Sequence, residues 1–182
     1  MLELSTKPKI QNVTCTADLN QKVSMIKLSK LACGIYDKAK YRGVCGYIKT
    51  PEMSGRVTVF ASGKIVSVGS KSIKKSIEQL YHAKFLLIEE NLISEIKLTP
   101  KIRNIVSTID VSQKISVEYL SPRIAGANYN PEVFPALILK GLNSCSFLIF
   151  SSGKIVFTGA KSVKEMNESS FELLQKLNHY LK

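Results

Sequence analysis

The sequence predicts an α+β fold made of two copies of one unit. Residues 60–66 read FASGKIV, and residues 150–156, which lie 90 positions later in a chain of 182, read FSSGKIV. An internal repeat sets the architecture before any single residue does. Short segments of alternating apolar and polar residues precede each copy, and a long segment with helical periodicity follows each one.

The first unit is predicted to begin with a strand. Val13, Cys15 and Ala17 alternate with polar residues within residues 10–18, and a period of two indicates a strand. The elements predicted after it are a short helix at 23–31, a short strand at the end of 36–41, and strands at 44–49, 56–60 and 64–68.

A long helix is predicted to close the first unit. Its N-cap is Ser70 or Ser72, it ends near Asn91, and Pro100 cannot continue it. Its predicted inner face comprises Ile73, Ile77, Leu80, Tyr81, Lys84, Leu87 and Ile88.

The same series restarts in the second half. Residues 102–110 repeat the first strand at an offset of 92, residues 129–134 match 36–41 at 93, and the Ser-Gly-Lys turn matches at 90. The offset falls between residues 41 and 60, so the first hairpin loop is predicted to be three residues longer than residues 141–145. The final helix, at 163–181, is expected to carry Met166, Phe171, Leu174, Leu177 and Leu181 on its apolar face.

Both faces of each predicted sheet are largely apolar, whereas an antiparallel sheet usually has one polar face. One long helix covers a single face, so the second face is either buried elsewhere or a binding surface. Two arrangements therefore remain open. The faces of the two units stack into a sandwich, or the half-sheets join into one continuous sheet whose open face fits a groove with anionic walls.

Composition restricts the function classes. The formal net charge of +12 favours an anionic partner, nucleic acid before membrane. The four cysteines and two histidines lack zinc-ligand spacing, so we expect no metal, no other cofactor and a reduced, intracellular protein. No Ser/His/Asp or Cys/His arrangement supports an enzyme. We also expect no signal peptide and no membrane span.

Four motifs together resemble the conserved core of the TATA-box-binding protein family across residues 9–182. They are the duplicated strand with Gln11-Asn12 or Arg103-Asn104, the YNPEVFP segment at 129–135, the Ser-Gly-Lys turn, and the Gly-x-Lys-Ser start of each long helix. The resemblance implies two pseudo-symmetric repeats, residues 9–100 and 101–182 after a tail at 1–8. They would form a curved, mostly antiparallel ten-stranded saddle sheet with helices on its convex face.

The resemblance also implies a DNA-binding mechanism, since this family is itself a standard example of minor-groove binders that insert apolar wedges and bend the duplex. The wedge positions implied here are Tyr41, Phe60, Phe134 and Phe150. The implied groove contacts are Asn12, Thr14, Thr58, Val66, Val68, Asn104, Val106, Leu148, Val156 and Thr158. The implied phosphate contacts are Lys64, Lys71, Lys140, Lys154 and Lys161.

Several positions of the first unit depart from the family pattern. Tyr41 replaces a phenylalanine, Val68 a threonine, Thr14 a valine, and Tyr47 a basic phosphate contact that Lys140 keeps in the second unit. We therefore expect the second unit to keep the family's DNA face and the first to bind with altered sequence preference.

The implied function is a promoter-binding general transcription factor that recognises A·T-rich DNA and assembles with transcription factor IIB and other initiation factors. Glu132 is the implied partner contact, while Asn130 replaces the usual acid. The alternative is a divergent member that acts mainly as a protein-interaction module. The basic charge resembles that of eukaryotic members, which implies the nucleus, or the cytoplasm if the chain is archaeal.

Overall fold

The computed structural model describes residues 7–111, 113–141 and 145–181. The described chain forms two compact units. The first unit comprises residues 12–103, and the second comprises residues 7–11 and 104–181.

Five antiparallel strands form the sheet of the first unit, in the order β2-β3-β4-β5-β1. The long helix α3 packs on β4 and β5. The elements are β1 (Lys9–Asp18), α1 (Met25–Leu28), β2 (Gly34–Ile35), α2 (Lys38–Tyr41), β3 (Cys45–Ile48), β4 (Arg56–Phe60), β5 (Lys64–Ser70) and α3 (Ile73–Glu89).

The second unit repeats this plan, with strand order β7-β8-β9-β10-β6 and every neighbouring pair antiparallel. The helix α5 packs on β10. The elements are β6 (Lys101–Asp110), α4 (Val117–Leu120), β7 (Ala127–Asn130), β8 (Phe134–Lys140), β9 (Ser146–Phe150), β10 (Lys154–Ala160) and α5 (Val163–Tyr180).

The long helices begin where the sequence predicts, but their buried faces differ from the prediction. Ser72 caps α3, its Oγ accepting the Lys75 N–H at 3.4 Å. Tyr81 was expected to face inward and is 44% exposed. On α5, Phe171 is 61% exposed, and Leu181, which directly follows α5, is also exposed. The buried residues of α3 are Ser76, Gln79, Leu80, Ala83 and Leu87.

Polar residues occupy the α3 interface because each finds a hydrogen-bond partner. Gln79 accepts the Gly55 N–H at 2.7 Å and donates through Nε2 to Ser67 Oγ at 2.8 Å. Ser67 Oγ also lies 3.1 Å from Ser76 Oγ. The apolar counterpart in the second unit is the contact between the rings of Phe147 and Phe157, whose centroids lie 4.9 Å apart. The two cores therefore differ in chemistry although their topology is the same.

Two local predictions for the first unit are wrong. Residues 38–41 form the helical turn α2 and not a strand, because Asp37 caps it by accepting the N–H groups of Ala39 and Lys40. The strand of this segment, β2, comes earlier, at Gly34–Ile35.

The predicted position of the three extra residues is also wrong. Gly34 pairs with Ile48 in the first unit, and Ala127 pairs with Leu139 at the equivalent place in the second. The sequence offset from Gly34 to Ala127 is 93, whereas the offset from Ile48 to Leu139 is 91. Two of the three residues therefore lie between β2 and β3, where Arg42 and Gly43 adopt positive φ. Of the hairpin loop predicted at 141–145, residues 142–144 lie outside the described residues.

Candidate nucleic-acid interface

Each unit has one sheet face that its long helix does not cover. In the first unit Val57, Val59 and Ile65 are fully buried, while their strand neighbours Thr58 and Val66 are only half-buried. This alternation confirms the predicted division of the strands into two faces. All ten predicted groove residues are half-buried: Asn12, Thr14, Thr58, Val66, Val68, Asn104, Val106, Leu148, Val156 and Thr158.

Strand register aligns the half-buried residues in matching rows across the two sheets. In the first unit the row is Tyr47, Thr58, Val66 and Thr16. In the second unit it is Ile138, Leu148, Val156 and Thr108. Tyr47 therefore matches Ile138 and not Lys140, which lies opposite Ser146. The second row has one threonine among three apolar residues, whereas the first row has two threonines and a tyrosine, so the second face is the more apolar.

The two predicted groove asparagines make the same hydrogen bond in both units. Asn12 Oδ1 accepts the Gly69 N–H at 2.8 Å, and Asn104 Oδ1 accepts the Gly159 N–H at 2.8 Å. A backbone N–H can only donate, so the bond fixes which end of each amide is the oxygen. The Nδ2 group of each asparagine is thereby oriented away from the glycine, with two N–H donors.

Sequence reasoning did not assign a role to the two glycines that hold these amides. Gly69 and Gly159 have φ of 88° and 111°, conformations that residues with a side chain rarely adopt. A Cβ on Gly69 would also lie 2.9 Å from the Gly55 Cα. Their identical place in the repeat, directly after Val68 and Thr158, was the available signal.

The asparagine in the second unit has one restraint that its counterpart lacks. Thr158 Oγ1 donates to Asn104 Oδ1 at 3.3 Å. Val68 occupies the matching position beside Asn12 and has no hydroxyl. The departure noted at Val68 thus removes a bond within the protein.

Two of the predicted wedges are paired in the second unit. The ring centroids of Phe134 and Phe150 lie 6.2 Å apart in an edge-to-face arrangement. Phe134 is 38% exposed, and Phe150 is half-buried beside the turn at Gly153, whose φ is 92°. These rings are therefore accessible at the surface and are not core residues.

The first unit pairs its rings differently. The centroid of Tyr41 lies 5.2 Å from that of Tyr47, edge to face, and the Arg56 guanidinium lies 4.4 Å from the Tyr47 centroid. Among the described residues, no ring contact joins Tyr41 to Phe60. A hydrogen bond with the Tyr41 hydroxyl raises the pKa of Tyr47.

All five predicted phosphate-contact lysines are exposed: Lys64, Lys71, Lys140, Lys154 and Lys161. Lys64 and Lys154 follow the positive-φ glycines of the Ser-Gly-Lys turns, and Lys71 and Lys161 precede the N-caps of α3 and α5. In the repeat, Lys64 matches Lys154 and Lys71 matches Lys161, whereas Lys140 has no match among these five lysines.

The predicted partner contact lies in an exposed turn of the second unit. Asn130 Oδ1 accepts the backbone N–H of Glu132 at 3.2 Å. The side chain of Glu132 is exposed. The next residue, Val133, is 80% exposed. An acidic group beside an exposed apolar side chain is a suitable contact for a protein partner.

Two classes of site were not found within the described part of the chain. No group of three or more His, Cys, Asp or Glu side chains there could hold a metal ion. No helix there is long and apolar enough to cross a membrane.

The fold matches a solved structure of a Methanococcus jannaschii TATA-binding protein with a TM-score of 0.85. The match covers 96% of this chain and 99% of the other at 22% sequence identity. This likeness confirms the predicted α+β fold class.

The family model for transcription factor TFIID, or TATA-binding protein, matches residues 7–86 and 99–180, and the chain belongs to that family. A TATA-box-binding protein of Cenarchaeum symbiosum is 49% identical over 98% of both chains. The mouse TATA box-binding protein-like 2 is 34% identical over 89% of this chain, which spans about half (47%) of that longer relative. Family membership gives the chain the role of a DNA-binding general transcription factor.

Proposed function

We propose that this chain binds A·T-rich, TATA-like promoter DNA in the minor groove, kinks it with inserted aromatic rings and nucleates assembly of the preinitiation complex. The observation that carries this proposal is the matched pair of asparagines, each with its oxygen held by a glycine N–H and its amide donors directed away from that glycine. A pair of donors on apolar faces suits the minor groove of A·T pairs, which presents only acceptors, adenine N3 and thymine O2.

The apolar side chains in the two rows support the same base preference. Val66 and Val156, with Leu148 and Thr58 beside them, would lie against the groove floor. A G·C pair adds the guanine N2 amino group there. An apolar side chain cannot accept a hydrogen bond from this amino group, and burying a donor without a partner is costly in free energy. We therefore assign the discrimination against G·C pairs to these faces.

We assign the DNA kink next to the second unit to insertion of the Phe134 and Phe150 rings, and the kink next to the first unit to Tyr41 and Phe60. In this family such wedges partly unstack a base step, at a cost of about a few kcal/mol. The exposed lysines supply phosphate contacts that set affinity and its salt dependence but not sequence preference.

The partners proposed beyond DNA are a transcription factor IIB-like protein and other initiation factors, with Glu132 and Val133 as a contact surface. The 49% identical relative is archaeal and the mouse relative is eukaryotic. We favour an archaeal setting, and hence the cytoplasm, on the basis of the higher identity and the fuller mutual coverage.

A second candidate function is a protein-interaction module with weak DNA binding. It is favoured by the first unit, where Tyr41 contacts Tyr47 rather than Phe60 and Val68 cannot restrain Asn12. Under this alternative the second unit alone would recognise DNA, and the affinity for duplexes would be low.

Equilibrium binding to an A·T-rich and a G·C-rich duplex, each across a salt series, tests the proposal. We expect a steep salt dependence for both duplexes and tighter binding of the A·T-rich one at every salt concentration. Equal affinities for the two would contradict minor-groove readout and favour the interaction module.

A further inference from the structure

A basic cleft of about 490 Å³ lies within the first unit, beside the end of β1 and the start of β6. Four cationic side chains line it: Lys64, Lys97, Lys101 and Arg103. One carboxylate, Asp18, also lines it. Lys64 is one of the phosphate contacts implied by the resemblance, whereas Lys97, Lys101 and Arg103 are not.

The charges of this cleft are not neutralised by the protein. Within residues 7–111, 113–141 and 145–181, none of the four cations forms an ion pair. Asp18 uses Oδ1 to accept the N–H of Asn20 at 2.8 Å. Four positive charges against one negative charge in a concave surface focus a positive potential, which attracts an anion.

Arg103 is held at the edge of the uncovered sheet face. Its Nε donates to Thr16 Oγ1 at 2.9 Å. Thr16 lies opposite Val66 in the row of half-buried residues on that face. The bond uses one of the five guanidinium N–H donors, so a fork remains for bidentate contact with a phosphate.

The repeat separates the structural role of Arg103 from its charge. Its counterpart in the second unit is Gln11, and Gln11 Nε2 donates to Thr108 Oγ1 at 2.8 Å. Thr108 is the counterpart of Thr16, so a neutral amide makes the same bond. The positive charge of Arg103 is therefore not needed to hold the threonine and is available for a ligand.

We propose that this cleft binds a backbone phosphodiester of the bound duplex through Arg103, with Lys97 and Lys101 adding to the potential. The site would give the first unit a phosphate contact that Gln11 cannot provide in the second unit. The inference rests on the proposed DNA-binding function and adds a site to it.

The variant Arg103→Gln tests the proposal, because it keeps a donor for Thr16 and copies the second unit. We expect the slope of log K against log salt to fall by about one unit, as for one lost phosphate contact. Affinity should fall equally for A·T-rich and G·C-rich duplexes. The matched control is Lys74→Gln, which removes the same charge from an exposed position on α3 and should leave the slope unchanged.

A methylphosphonate scan, which neutralises one backbone phosphate at a time, identifies the ligand. Neutralising the phosphate that Arg103 contacts should weaken DNA binding by the unaltered protein but should not weaken binding by Arg103→Gln. If Arg103→Gln and Lys74→Gln have the same slope while the duplex is still bound and bent, this inference is overturned alone. If the unaltered protein binds no duplex, the proposed function is overturned together with it. Lys97→Gln, outside the strands, provides a second variant in case Arg103→Gln does not fold.

Discussion

The side-chain oxygen of Asn104 lies 2.8 Å from the backbone nitrogen of Gly159, and this bond fixes the orientation of the asparagine amide. The first unit repeats it between Asn12 and Gly69. Because a glycine with positive φ supplies the donor in each case, the backbone itself determines the direction of each amide. In the proposed complex these donors are oriented before DNA binds, which reduces the ordering cost of binding.

The variant Asn104→Asp should separate this orientation from the donor function. An aspartate keeps the oxygen that accepts the Gly159 N–H but replaces the NH₂ donor with a second, negatively charged oxygen. We expect affinity for A·T-rich DNA to fall by about 5- to 150-fold, since a good base contact contributes about 1–3 kcal/mol. Asn167→Asp, the same change on an exposed position of α5, is the control for charge. Equal losses in both variants would refute a specific contact.

The reciprocal variants Thr158→Val and Val68→Thr should shift affinity in opposite directions. Thr158→Val removes the hydroxyl bonded to Asn104, and Val68→Thr provides one for Asn12. A hydrogen bond of this kind contributes about 0.5–1.5 kcal/mol, or a change of about 2- to 10-fold. Fluorescence anisotropy on the A·T-rich duplex measures both. If Val68→Thr weakens binding, the hydroxyl is not a restraint on the amide.

Gln79→Ala should destabilise the first unit by about 1–3 kcal/mol. The substitution leaves the Gly55 N–H without its acceptor in the buried interface under α3. Urea unfolding measures the loss, and Lys75→Ala at an exposed position of the same helix is the control. A loss no greater than that of the control would mean that water replaces the amide.

The ion pair between Lys84 and Glu95 should make stability depend on acid pH. The hydrogen bond from Lys84 lowers the pKa of Glu95 below its ordinary value of 4.5. Its contribution is therefore present above pH 4.5 and is lost as the pH falls through the lowered value. Glu95→Gln should lose less stability than the unaltered protein between about pH 6 and pH 3. Glu89→Gln, an exposed carboxylate on α3, should not show this difference.

The repeat made the strands and sheets predictable from the sequence, but the hydrogen-bond partners of individual side chains could not be predicted. Strand alternation located the buried and half-buried faces correctly because burial follows a period of two. The inner face of α3 was misassigned because Gln79 and Ser76 look polar, and only the nearby Gly55 and Ser67 make their burial favourable. The hydrogen bond from Arg103 to Thr16 was not predicted for a similar reason, since Thr16 is 87 residues away in sequence.

Bending of an end-labelled A·T-rich duplex, followed by fluorescence energy transfer, tests the central claim most directly. The account predicts that the unaltered protein brings the duplex ends closer and that Phe134→Ala with Phe150→Ala abolishes most of this change. Phe85→Ala with Phe171→Ala, which removes two exposed rings from the long helices, should leave it intact. An unbent duplex at saturating unaltered protein, or full bending by the folded Phe134→Ala, Phe150→Ala variant, would contradict the account.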